Sequence, residues 1–132
     1  MAVKTADARL EERWRDILTV HAHTMCEIDR ALHPHGLGAS DFEVLDLLAT
    51  ESPGESDQCR VQNLVGRVHL SQSALSRLIG RLEKEGLVER SVCAEDRRGV
   101  WVALTRKGRD LYAEVLPLQR AVLARMLAER AG

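Results

Sequence analysis

From Leu70 to Gly86, the residues LSQSALSRLIGRLEKEG sort into two faces when they are laid out at roughly 100° per residue. Leu75, Leu78, Ile79 and Leu82 fall on one side with Ala74 at its edge, and Gln72, Ser73, Ser76, Arg77, Gly80, Arg81 and Lys84 fall on the other. The pattern predicts a helix with one buried face and one polar, basic face. Ser71 is placed as its N-cap, and Leu70, one residue earlier, is spaced to staple against Leu75. At the far end Gly86 supplies a left-handed residue, and Leu87 is spaced to pack back on Leu82.

The same period organises the chain before this helix. Between about Ala6 and Leu32, Leu10, Trp14, Ile17, Leu18, His21, Met25, Ile28 and Leu32 recur at intervals of three and four. They form one apolar stripe along a helix of roughly seven turns. A helix that long in so small a chain packs on something beyond its own lobe. It ends at His33-Pro34-His35-Gly36, where Pro34 disfavours helical geometry in the residue before it. A second helix opens at Ser40-Asp41-Phe42-Glu43, read as a capping box, with Phe42, Leu45 and Leu48 as its buried stripe. Residues 51–58 read as a polar loop around Ser52-Pro53-Gly54. A short third helix spans about Arg60 to Arg67, with Val61, Leu64 and Val65 inward. Only Val68 and His69 separate it from Leu70-Ser71. Helices joined so tightly cross steeply, as a helix-turn-helix whose second member is the recognition helix.

After Gly86 the period switches to two. Residues 87–92 and 100–104 read as strands, joined by a polar tip over residues 93–99. A hairpin directly after a helix-turn-helix is a wing. From Thr105, whose hydroxyl can cap, a last helical region carries Leu111, Val115, Leu116, Val122, Leu123, Met126 and Leu127, with a kink expected at Pro117.

Charge sharpens this picture. The net charge of the 132 residues is −1. From Arg60 to Arg109, however, there are eleven Lys or Arg against five Asp or Glu, a local balance of +6. A basic centre between acidic ends is what a nucleic-acid-binding lobe joined to a non-binding one would show. Aromatic residues make up only 3%, which disfavours base-stacking readers of single strands. No apolar run at the N-terminus could serve as signal peptide or membrane span, so the expected location is cytoplasmic, with no membrane partner.

Taken together, these residues resemble the MarR-type winged-helix transcriptional regulators. The resemblance is carried by Leu70-Ser71 with Ser73, Leu75, Arg77 and Leu78, then by Leu82-Glu83 and Gly86-Leu87-Val88. Asp96 and Arg98 followed by Leu104-Thr105 match the family's wing signature, with Arg97 and Gly108-Arg109 beside it. The fold class this implies is mainly α with a small β-hairpin wing. Residues 36–104 would form a winged helix-turn-helix lobe, and residues 6–35 and 105–131 the dimerisation helices of a single MarR-like domain. Relatives usually continue into one further helix, so a chain ending at Gly132 is expected to carry a shortened dimer interface.

The implied function is a sequence-specific transcriptional regulator, a repressor, that binds a pseudo-palindromic double-stranded operator as a homodimer. Ser71, Gln72, Ser73, Ser76 and Arg77 are the candidates for base and phosphate contacts in a major groove. Arg81 and Lys84 are expected to meet phosphates or water. In the wing, Asp96 is placed to hold Arg98, and the tip with Arg97 and Arg98 to probe the minor groove or its phosphates. A small apolar or phenolic effector would release the DNA, with His21, Met25 and Phe42 as lining candidates.

Two alternatives use other residues. Cys26, Cys59 or Cys93 could act as an oxidation switch, given an accessible low-pKa thiolate. The fold could also serve as a protein-interaction module without operator binding. An enzyme is not expected, because neither a phosphate-cradling glycine loop nor a nucleophile motif is present. No cofactor is expected. No metal is expected either, since His21 and His23 lie two apart on a helix and His33 and His35 flank a proline.

Overall fold

The computed structural model describes residues 5–50, 58–92 and 100–131. In chain order the elements are α1 (Ala6–Leu32), α2 (Ala39–Thr50), β1 (Gln58–Arg60), α3 (Val61–Val65), α4 (Gln72–Lys84), β2 (Val88–Val92), β3 (Val100–Leu104) and α5 (Arg106–Ala131). A single 3-10 turn, His33–His35, follows α1. Among the described residues, no helix is long and apolar enough to cross a membrane. The fold is the mainly helical, hairpin-bearing class expected from the sequence.

The chain divides into two compact units. The first holds α1, the turn to Ala39 and α5 from Pro117 onward; the second is Ser40–Leu116. The first ten or so residues of α5 therefore group with the winged lobe. Their side chains explain why. Tyr112 stacks on Phe42 with ring centroids 5.7 Å apart, and its hydroxyl donates to Asp46 Oδ1 at 2.5 Å.

Within the first unit, α1 is capped by Thr5, whose Oγ1 accepts from Ala8 N at 3.1 Å. Ile28, Leu32, Leu37 and Val122 are buried, and Arg125 Nη2 donates to Glu27 Oε2 at 3.0 Å. Asp29 near the end of α1 accepts from Ala39 N at 2.7 Å. This carboxylate serves the first amide of α2, which begins before the expected capping box. Ser40 lies inside the first turn of α2 rather than at its N-cap.

In the second unit, Phe42, Leu45, Leu48, Leu64, Leu75, Ile79, Leu82 and Val102 make a fully buried core. The strands form a sheet in the order β1-β3-β2, antiparallel throughout. The hairpin registers Val88 opposite Leu104 and Val92 opposite Val100. β1 pairs Arg60 with Trp101 on the other side of β3, where the sequence pattern predicts the end of a loop and the start of a helix. Three residues are too few to show a period of two, and their pairing comes from the open edge of β3. α3 is correspondingly shorter than expected, ending at Val65.

The junction after α4 is tightly specified. Gly86 adopts φ +80° as foreseen. Leu87 N donates to Leu82 O and Gly86 N to Glu83 O, both at 2.9 Å, closing the helix end by the paired bonds of a Schellman motif. Thr105 then caps α5 by accepting from Gly108 N at 3.0 Å, while its hydroxyl donates to Gly86 O at 2.6 Å. Thr105 N donates to Leu87 O at 3.0 Å. A Cβ on Gly108 would sit 2.1 Å from that same Leu87 oxygen. Only glycine lets α5 start this close to the strand. Gly108→Ala is expected to lose about 1–3 kcal/mol of stability in urea unfolding; wild-type stability in this variant would show that the junction can open without cost.

Candidate nucleic-acid interface

The recognition-helix candidate is held at its start by Ser71, whose Oγ accepts from Ala74 N at 3.1 Å and lies 3.3 Å from Ser73 Oγ. Its inner face is the expected one: Leu75, Ile79 and Leu82 are buried, and Ala74 and Leu78 half-buried. Burial of that face turns Gln72, Ser73, Ser76 and Arg77 outward, all exposed. Among the described residues, Arg77 and Lys84 take part in no ion pair, so both cations remain available to an anionic partner.

Arg81, by contrast, has partners within the protein. Its Nη2 donates to Asp41 Oδ1 on α2, and Nη1 lies 3.8 Å from Glu85 Oε1. Among the described residues, Asp41 is the one buried residue that carries a charge, and its side chain is only 6% exposed. The helical projection put Arg81 on the polar face correctly but could not show that α2 brings a carboxylate against it.

Arg90 on β2 was not singled out from the sequence. Its Nη2 donates to Ser76 O at 3.2 Å, its Nε lies 3.6 Å from Glu83 Oε1, and its backbone N donates to Glu83 Oε2 at 3.3 Å. The guanidinium crosses α4 above Gly80, where a Cβ would approach Nη2 to 3.3 Å. Arg60 lies over the Trp101 ring at 5.8 Å from its centroid. A cleft of about 270 Å³ opens between α3, α4 and the sheet, lined by Arg60, Gln62, Gln72, Ser76 and Arg90 among others.

The wing residues Asp96, Arg97 and Arg98, together with Cys93, lie outside the described residues. So does the side chain of Cys59, whereas Cys26 is a free, exposed thiol on α1. Of the three effector-lining candidates, His21 is exposed and Met25 half-buried on α1, in the first unit. Phe42 belongs to the second unit and is fully buried against Tyr112 as a core residue. Among the described residues, no group of three or more His, Cys, Asp or Glu is placed to hold a metal ion.

A helix-turn-helix followed by a paired hairpin, with a polar face turned outward on its second helix, defines a winged helix-turn-helix module. Comparison with known proteins gives the family. Residues 39–100 match the model of the MarR family. The structure is similar to AbsC, a MarR family transcriptional regulator of Streptomyces coelicolor, at a TM-score of 0.80 and 30% identity, covering 98% of this chain and 84% of that one. It is similar also to Sco3205, a MarR family regulator of the same organism crystallised with DNA, at a TM-score of 0.81 and 25% identity, covering 98% and 79%. Among curated relatives, YkoM of Bacillus subtilis, an uncharacterised HTH-type transcriptional regulator, is 30% identical over 91 residues, 69% of this chain. The chain spans 56% of the length of YkoM. This chain belongs to the MarR family, and the relatives named here are transcriptional regulators rather than enzymes.

On α2, the Glu43 carboxyl is raised from its ordinary value, first by desolvation of a side chain that is still solvent-exposed, then by the neighbouring Asp46 charge, with His69 opposing. The folded chain thus holds this proton more tightly than the unfolded chain does. Its contribution is fully present below the ordinary carboxylate range and is lost as pH rises through the raised value. Glu43→Gln is expected to melt higher than wild type near pH 7, and this advantage should vanish near pH 4. An advantage of the same size at both pH values would refute the assignment.

Proposed function

We propose that this protein is a sequence-specific double-stranded-DNA-binding transcriptional regulator, a repressor that acts as a homodimer on a pseudo-palindromic operator. The observation that carries the reading is the outward face of α4. Gln72, Ser73, Ser76 and Arg77 stand exposed on a helix whose opposite face is locked into the core. A helix fits the major groove, where glutamine can pair with adenine and arginine with guanine through two bonds each. Ser71 stays at the helix start as cap and as a phosphate donor. Lys84, a turn or more further along, supplies charge without sequence information. The hairpin extends the contact, with Arg97 and Arg98 reaching the adjacent minor groove or its phosphates.

The paired state rests on α1. Leu10, Trp14, Ile17 and Leu18 lie on one face of that helix and are 64%, 58%, 51% and 46% exposed. A contiguous apolar stripe of this kind marks an interaction surface. The occupant we propose is a second copy, which would present two α4 helices to successive major grooves related by a twofold axis. Release by a small apolar or phenolic molecule completes the reading, on the strength of the family resemblance.

Two measurements test it. Duplexes enriched from a randomised pool by the wild-type protein provide the ligand. Arg77→Ala should bind them about 5- to 100-fold more weakly and lose preference at one position of each half-site. Lys84→Ala should weaken all duplexes evenly and reduce the slope of log affinity against log salt by about one. Unchanged affinity in Arg77→Ala would sink the recognition-helix assignment. In sedimentation, wild type should run as a dimer and a Trp14→Asp, Leu18→Asp double variant as a monomer; a monomeric wild type would remove the paired reading.

A further inference from the structure

We infer that Asp41, an acidic residue, is a positioning residue for DNA reading, and that Arg81 serves as its strut instead of a phosphate contact. The inference rests on the proposed reading role of α4. A carboxylate 6% exposed is costly to bury unless a cation meets it, and Arg81 Nη2 does so across the gap between α2 and α4. Arg81 lies four residues beyond Arg77, one turn along the same outward strip of the helix. Holding Arg81 therefore holds the rotation of that strip about the helix axis. With side chains about 5–6 Å from the axis, a rotation of ~10° would carry an Arg77 or Gln72 contact about 1 Å off its base.

The opposite flank is fixed by a different cation. Arg90 donates to Ser76 O at 3.2 Å and pairs with Glu83, tying α4 to β2. α4 is thus pinned from both sides, by Asp41 through Arg81 and by Arg90 directly. The guanidinium of Arg81 is committed twice, to Asp41 and toward Glu85. A negative charge inside a basic lobe then aids the binding of a polyanion by orienting the helix that reads it.

Simple charge counting predicts the reverse, and this makes the inference testable. The probes are a duplex enriched by the wild-type protein from a random pool and a scrambled duplex of equal length, each titrated over a range of salt. Asp41→Asn should bind the enriched duplex about five- to tenfold more weakly, although it removes a negative charge, and should bind the scrambled duplex no more weakly than wild type does. Arg81→Lys, at a half-exposed position that keeps its charge, should lose selectivity likewise, because an ammonium cannot reproduce the guanidinium geometry. The salt slope of Arg81→Gln should equal that of wild type, and the Asp41→Asn, Arg81→Gln double variant should bind no worse than the weaker single variant. Asp41→Glu should recover most of the selectivity, and melting temperatures taken beside binding separate orientation from unfolding. Tighter or unchanged binding in Asp41→Asn, full selectivity in Arg81→Lys, or a slope reduced by about one in Arg81→Gln would each overturn the strut alone. A wild-type protein that enriches no duplex would overturn the DNA-reading function and the strut with it.

Discussion

The burial of one face of α4, together with the closure of both its ends, is the constraint on which the lobe depends. Leu75, Ile79 and Leu82 have almost no exposure, so a large roll of the helix would drag apolar surface into water, and side-chain pairs at its flanks set the finer orientation. Ser71 satisfies an amide at its start, and Gly86 with Leu87 satisfies carbonyls at its end. The same Gly86 carbonyl then accepts from Thr105, which begins α5. Helix end, strand start and the next helix start are therefore one hydrogen-bonded unit, and the wing leaves the core at an angle set by the recognition helix.

The cations of the lobe are not equivalent. Its local excess of positive charge is a property of the sequence, yet Arg60 lies over Trp101, Arg81 is taken by Asp41, and Arg90 spans α4 to Ser76 and Glu83. Arg77 and Lys84 stand apart from these pairings. A paired guanidinium contributes little to the field felt by a polyanion, since its partner cancels most of its charge at a distance of a Debye length. Local net charge thus locates a basic lobe, and pairing decides which of its arginines can face a ligand.

α1 has a related division along its length. Its last turns bury Thr24, Ile28 and Leu32, while its first half leaves Leu10, Trp14, Ile17 and Leu18 in the open. The periodicity that identified one continuous stripe gave no sign of this change. Hydrophobic spacing reports that a face will be covered, and says nothing of whether the cover comes from the same chain.

Local patterns sufficed where the physics is local. The inner face of α4, the Ser71 cap, the Gly86 turn, the Thr105 cap and the two long strands each follow from residues within a few positions of one another, and each was legible in the sequence. Contacts between distant residues were not. Asp41 meeting Arg81, Asp29 serving Ala39, Arg90 crossing Gly80 and the three-residue β1 all join positions whose side chains carry no mutual signal along the chain. The sequence by itself determined which helix turns which face outward, because helical period and capping chemistry act over one or two turns. Only the tertiary structure decided which cations on that face are free, because a buried carboxylate selects its partner through space.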